Sequence, residues 1–280
     1  MRRALITGAA GHLGRHVVET FTAQRVAVTA LTQQADDDVR ADRIVVGDAR
    51  DADVVRDALR DVDVVVHLAA LPSPSAGSAE EVFCGNTAAT FTVLEQCALA
   101  GVRHAVIASS QAVSGLPFGP RRRRPAYLPV DEAAPTHIAD PYALSKAVDE
   151  LTAAMMWWRH ELSVCALRFP FLGDADGRLR ARAELWNADP AAGACELWAY
   201  LDWRDAARAC LLAADRQPPG TEIVMVAAPR TLVPFATESL LDQHLPDVPR
   251  RRRFIGNETP IDLRRSHAVL GFDAEYLWAS

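Results

Sequence analysis

Ala4-Leu5-Ile6-Thr7-Gly8-Ala9-Ala10-Gly11-His12-Leu13-Gly14, followed by Val17, Val18 and Phe21, is the stretch whose reading decides the fold. A short apolar run of strand type enters a glycine-punctuated turn, and the turn opens into apolar positions at helical spacing. Gly8 suits the tight turn, Gly11 lets backbone approach a pyrophosphate, and Gly14 lets the helix pack closely on the sheet. Phosphate would rest on the helix N-terminus, where free N–H groups and the helix dipole favour anions. Glycines at this spacing also serve plain turns, but a position directly after a strand points to a dinucleotide seat.

Working outward, Arg25 to Leu31 reads as a second strand from its β-branched content. It ends in Leu31-Thr32-Gln33-Gln34, with neither the carboxylate that bonds a ribose 2′-hydroxyl nor an arginine for a 2′-phosphate. Asp36, Asp37 and Asp38 follow as a solvated loop whose charge would repel a 2′-phosphate, so NAD is favoured with NADP left open; Arg15 and Arg40 are the candidate phosphate clamps. Arg43 to Val46 is a third strand, then Gly47-Asp48-Ala49; Asp48 either bonds an adenine amino group or caps the next helix. Val62 to Ala70 is almost wholly apolar, as a central parallel strand must be, and His67 within it is read as a packed core residue. A long helix spans Glu80 to Leu99, and His104 to Ala108 is a strand that runs out into Ser109-Ser110, where ligands bind in open α/β sheets.

Gln111 to Pro141 is proline-rich and irregular, with four arginines at 121–124 that suit either a solvated loop or an anion clamp. Asp140-Pro141-Tyr142-Ala143-Leu144-Ser145-Lys146 then opens a helix that puts Tyr142 and Lys146 on one face. Leu162 to Arg168 is a sixth strand. Alternating strands and helices imply an α/β fold, a doubly wound parallel sheet of Rossmann type. Its expected extent is residues 1–168, with 169–280 forming a small substrate lobe and a segment near 198–226 returning to the first domain. In the lobe, Arg178 to Trp186, Ala206 to Ala214 (capped by Asp205), Thr237 to Gln243 and Ile261 to Leu270 read as helices and Glu222 to Val226 as a strand; these pieces look too few to build a large core alone.

With 280 residues, 50% hydrophobic and a formal net charge of −6, the composition is that of a soluble globular protein and argues against nucleic acid as a partner. Five dispersed cysteines and no CxxC pair suggest reduced thiols and a cytoplasmic setting, with no metal site. No membrane segment or signal peptide is expected. Met155-Met156-Trp157-Trp158 fits either a dimer seam or the core.

Taken together, the residues from Thr7 to Gly14, Gly47-Asp48, His67-Leu68-Ala69-Ala70, Asn86-Thr87, Ser109-Ser110, Tyr142 to Lys146 and Leu167 to Pro170 resemble the NAD-dependent epimerase/dehydratase group of the extended short-chain dehydrogenase/reductase superfamily. The resemblance implies Ser110, Tyr142 and Lys146 as catalytic residues. It also implies a cofactor lined by Gly8, Ala10, Gly11, His12, Leu13, Gly14, Thr32, Asp48, Ala49, Leu68, Ala69, Ala70, Asn86, Ser109, Tyr142, Lys146 and Phe169. A homodimer through the Tyr142 helix is common in the superfamily. The chemistry is physically coherent: a phenol of ordinary pKa about 10 needs a neighbouring ammonium to act as a base near neutrality.

The departures narrow the expectation. Gln111-Ala112-Val113 after Ser110 lacks the acidic pair of dehydratases, Ser114-Gly115 stands where epimerases carry tyrosine-glycine, and Ser110-Gln111-Ala112 replaces the Ser-Asn-His of uronate dehydrogenases. The expected activity is hydride transfer between nicotinamide and a small hydroxyl or carbonyl compound, sugar-like or anionic. The alternatives are a sugar-nucleotide epimerase with tightly held NAD, a non-enzymatic dinucleotide sensor, and a non-redox enzyme on the old site, for which Gln111 and Trp203 leave room.

Overall fold

The structure, a computed structural model, describes residues 1–119, 121 and 123–279. Seven parallel strands make the main sheet: β1 (Arg3–Thr7), β2 (Ala27–Thr32), β3 (Arg43–Val46), β4 (Val64–His67), β5 (His104–Ser110), β6 (Ser163–Phe169) and β9 (Thr221–Met225), in the order β3-β2-β1-β4-β5-β6-β9. The order reverses between β1 and β4, and a crevice opens outside their carboxyl ends. A second, two-stranded sheet pairs β7 (Phe171–Gly173) with β8 (Tyr200–Asp202). The segment 198–226 therefore divides: β8 stays with β7, and only β9 extends the main sheet beyond β6.

Central strands β1 and β4 are apolar on both faces because each face carries helices. On one side α1 (His12–Ala23) and α7 (Trp203–Arg216) bury Val17, Val18, Phe21, Ala206 and Cys210 against Ile6, Val28 and Val66. On the other side α2 (Ala52–Ala58), α3 (Ala79–Leu99) and α4 (Pro141–His160) bury Val55, Val93, Leu94 and Met156 against Leu5, Val65 and Ile107. Edge strand β3 leaves Ile44 and Val46 exposed. Each of these helices starts where a side chain or a glycine provides for it. Asp51 caps α2, Ser78 forms a capping box with Glu81 on α3, and Asp140 accepts the Ala143 N–H at 2.8 Å ahead of Pro141 on α4.

The remaining helices α5 (Arg178–Ala188), α6 (Pro190–Gly193) and α8 (Thr237–His244) gather around a second core. They build a larger core than the sequence suggests, because the 111–141 segment contributes to it. Leu116, Leu128 and Val130 pack with Trp186, Trp198, Leu241 and Phe254, and backbone bridges join Leu128 to Arg250 and Val130 to Ile261. The arginine runs are part of this stitching. Arg124 pairs with Asp247, Arg250 with Glu238 and Asp242, Arg251 with Asp131, and Arg252 with Glu258. Arg122 of the first run, and Pro120 just before the run, lie outside the described residues.

Three local expectations are corrected. Helix α7 begins at Trp203 because Asp202, not Asp205, caps it, accepting from the Arg204 N–H at 2.9 Å. Asp205 is instead fully buried in the first turn, where it receives the N–H groups of Glu275 and Tyr276 and pins the C-terminal segment. The helix expected over 261–270 shrinks to one turn at Ser266–Leu270, since Asp262 captures the backbone and side chain of Arg264 and offers the chain a competing local bond. Asp48 does not cap α2 either; its carboxylate folds back on Arg50, which holds it below its ordinary pKa.

One buried ion pair joins the layers. Arg168 on β6 grips Glu150 on α4 through two hydrogen bonds of 2.8 and 2.7 Å, Ser109 on β5 donates to the same carboxylate at 2.6 Å, and Arg168 also reaches the Glu132 carbonyl. Glu150→Gln strands a buried guanidinium, so it is expected to cost about 3–5 kcal/mol. Urea unfolding should show a lower midpoint with an unchanged slope.

Candidate active site

The dinucleotide seat forms where β1 and β4 end. Gly8 has φ +66°, and a Cβ there would lie 2.8 Å from the Ala69 nitrogen, so the turn and the strand end fit only in glycine's absence of a side chain. Gly14 is tighter still: its Cβ would meet the Gly8 carbonyl oxygen at 2.1 Å. Helix α1 then starts at Gly11 with no side-chain cap and no acidic residue in its first turn, which leaves its N–H groups facing the crevice rather than satisfied internally. Leu68 and Ala69 are half-buried at the end of β4, and Ala70 is exposed just beyond.

At the adenosine end, the Thr32 hydroxyl is buried and has no hydrogen-bond partner among the described residues. An orphaned hydroxyl at the tip of β2 matches a ribose that brings its own hydroxyls. Arg15, the nearer phosphate-clamp candidate, is engaged by Asp36 and sits 3.8 Å from Asp38. Ala49 is buried against the β2 side of the core. The residues present thus fit the adenosine end of a dinucleotide.

On the far side of the crevice lie the hydroxyl and phenol candidates. Ser110 is half-buried, its oxygen accepting the Ala112 N–H at 3.1 Å and its proton left for another acceptor. Tyr142 packs on Ala112, Val82 and Ala143, with Phe118 edge-on at 6.0 Å, so its ring is held by apolar contacts. Lys146, one turn later, is buried with its ammonium 3.2 Å from Asp149 Oδ2. Three other expected residues are committed elsewhere. Asn86 braces the loop after β4 and the start of α4, bonding Leu71 backbone at 2.8 and 3.1 Å and the Ser145 hydroxyl at 3.1 Å. The Ser109 hydroxyl serves Glu150, and Phe169 is buried in the main core. These contacts fix the three side chains relative to β5 and α4.

Sequence reasoning missed the wall between these two halves. His12 stacks on Trp203 with ring centres 5.8 Å apart, and the Arg178 guanidinium lies 5.5 Å from the Trp203 ring and 5.1 Å from that of Phe171. Arg182 covers Phe171 at 3.9 Å and pairs with Glu196, whose carbonyl receives the Gln111 amide at 3.2 Å. The wall therefore runs from the glycine turn to the residue after Ser110. Phe171, Arg178 and Arg182 come from segments with no motif, and only their three-dimensional convergence reveals them. His67 follows its bland reading: buried, with burial and the Lys146 charge pushing its pKa down to about 3, so it is neutral.

Comparison with known proteins agrees with this geometry. Residues 4–227 match the NAD dependent epimerase/dehydratase family. An L-arabinose 1-dehydrogenase (NAD(P)(+)) of Haloferax volcanii is 33% identical over 182 residues, covering 63% of this chain and 69% of that protein. A UDP-glucose 4-epimerase of Azospirillum brasilense is 30% identical over 187 residues, covering 62% of this chain and half of that protein's length. Among solved structures, a short-chain dehydrogenase/reductase superfamily protein of Agrobacterium tumefaciens with bound NAD superposes with TM-score 0.74 at 25% identity, covering 99% of this chain and 93% of its own. MoeE5 in complex with UDP-glucose and NAD shares the fold, with TM-score 0.71 at 24% identity over 98% and 94% of the two chains. This chain belongs to the NAD dependent epimerase/dehydratase family.

Proposed function

We propose that the protein is an NAD-dependent oxidoreductase that moves a hydride between nicotinamide and a small, sugar-like, anionic hydroxyl or carbonyl compound. The observation that carries this reading is the apolar clamp on Tyr142 with Lys146 one turn behind it and Ser110 at the end of the adjacent strand. Bound dinucleotide supplies the hydride donor or acceptor. Tyr142 exchanges a proton with the substrate oxygen, Ser110 donates to the same oxygen and aligns it, and Lys146 makes the phenolate accessible near neutrality. The apolar packing around Tyr142 excludes water from that exchange.

An anionic substrate is favoured by Arg178. Its guanidinium spans Phe171 and Trp203 and, unlike Arg182, makes no ion pair within 4.0 Å among the described residues. Partial burial and the neighbouring Arg182 charge lower its pKa, against the opposing pull of Asp174. NAD over NADP is favoured by the capture of Arg15 and the unpartnered Thr32 hydroxyl. A sugar-nucleotide epimerase with retained NAD is the second reading, favoured by the relatives of that activity. Assembly as a homodimer through α3 and α4 is part of the proposal, since Phe91, Leu151 and Trp158 are exposed there. So is a reducing, cytoplasmic setting: among the described residues no two cysteines are joined in a disulfide, and no helix is long and apolar enough to cross a membrane.

Turnover is measured as absorbance at the nicotinamide wavelength with free aldoses, uronic acids and UDP-sugars in turn. Tyr142→Phe is expected to lower kcat by about 10²–10⁴-fold without unfolding the protein, as loss of general acid/base catalysis does; full turnover in the variant overturns the assignment. Arg178→Leu should raise KM for acidic substrates by about 10–100-fold, the worth of a charge-assisted hydrogen bond, and leave neutral sugars unaffected. NADH should bind more tightly than NADPH in fluorescence titration. Bound NAD after purification, with no net absorbance change during conversion of a UDP-sugar, replaces this reading with the epimerase.

A further inference from the structure

Lys146 and the glycine turn, 139 residues apart in sequence by subtraction of Thr7 from Lys146, are joined by a buried polar line that the mechanism above does not use. The Lys146 ammonium donates to Asp149 Oδ2 at 3.2 Å. The Thr90 hydroxyl on α3 faces the same carboxylate and favours its ionised form. Thr90 Oγ1 is 3.2 Å from His67 Nε2, and His67 Nδ1 is 2.8 Å from Thr7 Oγ1. Thr7 Oγ1 in turn accepts the N–H groups of Leu68 and Ala69, both at 3.2 Å. Every side chain on this line is at least nine-tenths buried.

Counting protons gives the line a direction. Thr7 Oγ1 already accepts two N–H groups, so its own proton is free to go to His67 Nδ1. A neutral His67 then carries its proton on Nε2 and donates to Thr90, which leaves the Thr90 proton uncommitted on the side that faces Asp149. The opposite orientation would crowd a third proton onto Thr7 and take the Thr90 donor away from a buried carboxylate. The line ends in backbone at Thr7, and among the described residues every side chain on it is buried, so it is suited to holding charge in place rather than conducting protons.

We propose that Asp149 is a positioning residue for the reaction: anchored through Thr90 and His67 to Thr7, its carboxylate fixes the Lys146 ammonium and offsets part of the charge that acts on Tyr142. This rests on the reading of Tyr142 as the proton-transfer group. The groups that face Asp149 are Lys146 and Glu150 on its own helix, Thr90 on α3 and the neutral His67 on β4; Glu150 is itself occupied by Arg168. Asp149 Oδ1 has no hydrogen-bond partner among the described residues, so the carboxylate is held at one oxygen by lysine and is otherwise poorly solvated. Burial accordingly raises its pKa, against the opposing pull of Lys146. A carboxylate placed there makes a phenolate on the same helix, one turn before Lys146, more costly, so the charge of Lys146 reaches Tyr142 reduced.

The test is phenolate absorbance against pH for the NAD⁺-bound protein, taking the difference between wild type and Tyr142→Phe to isolate Tyr142. The chain has four tyrosines, and two of them titrate late: burial pushes Tyr200 up to about 12 and raises Tyr127. Asp149→Asn keeps the shape of the side chain and removes its charge, and it is expected to lower the Tyr142 midpoint by about one pH unit. Asp149→Ser, a smaller neutral replacement, is expected to move the midpoint the same way, and it serves if Asp149→Asn does not fold. An unchanged midpoint in either folded variant overturns the proposal. A raised midpoint does so too, and would mean that Asp149 serves to keep Lys146 protonated. A wild-type Tyr142 step near the ordinary value of about 10 overturns the Tyr142 assignment itself, which separates the two failures.

Discussion

The bidentate contact between Arg168 and Glu150 is the constraint on which the remaining geometry depends. Arg168 stands one residue before the end of β6 and Glu150 stands one turn after Lys146, so the contact fixes the height of α4 against the sheet. Ser109, bonded to the same carboxylate, fixes β5 in that frame, and with it the neighbouring Ser110. Glu132 ties in the 111–141 segment by giving its carbonyl to Arg168 and its carboxylate to the Met225 N–H on β9. A buried charge pair is a weak source of net stability, because desolvation consumes most of its Coulombic gain. Its value here is registry: a helix that slid by one residue would leave both charges unpaired in the core.

Much of the fold was legible because its strongest signals are local. The strand, glycine turn and helix at residues 3–23 follow from sterics that hold in any context, and the apolar runs of β4 and β5 could only belong to strands covered on both faces. The helix boundaries that misled did so through competition between like residues. Asp202 and Asp205 are both good caps, and which one serves was decided by the C-terminal segment, which needed a buried acceptor for Glu275 and Tyr276. At 261–270 the apolar spacing fitted a helix, but Asp262 offered Arg264 a local bond that no periodicity registers.

The candidate site divides in the same way. Ser110, Tyr142 and Lys146 were visible because their spacing on a strand end and a helix face is itself the signal. Asn86, Ser109 and Phe169 were found by position but have side chains committed to the framework. Asp149 was not found at all: an acidic residue three positions after a lysine on a helix reads as a surface pair, and only the structure shows the pair to be buried. Arg178 and Trp203 are set by the path of the chain after β6, which carries no pattern.

The bridges that fasten Leu128 to Arg250 and Val130 to Ile261 bear on how the molecule is assembled. They join segments more than a hundred residues apart, whereas β1, β2 and β3 find their neighbours within a few tens of residues. Contacts of such high order carry a loop-closure cost that must be met before they contribute stability. The glycine turn is thus encoded in the locally connected part of the chain, whereas the core that Leu128 and Val130 share with the C-terminal third depends on contacts of high order.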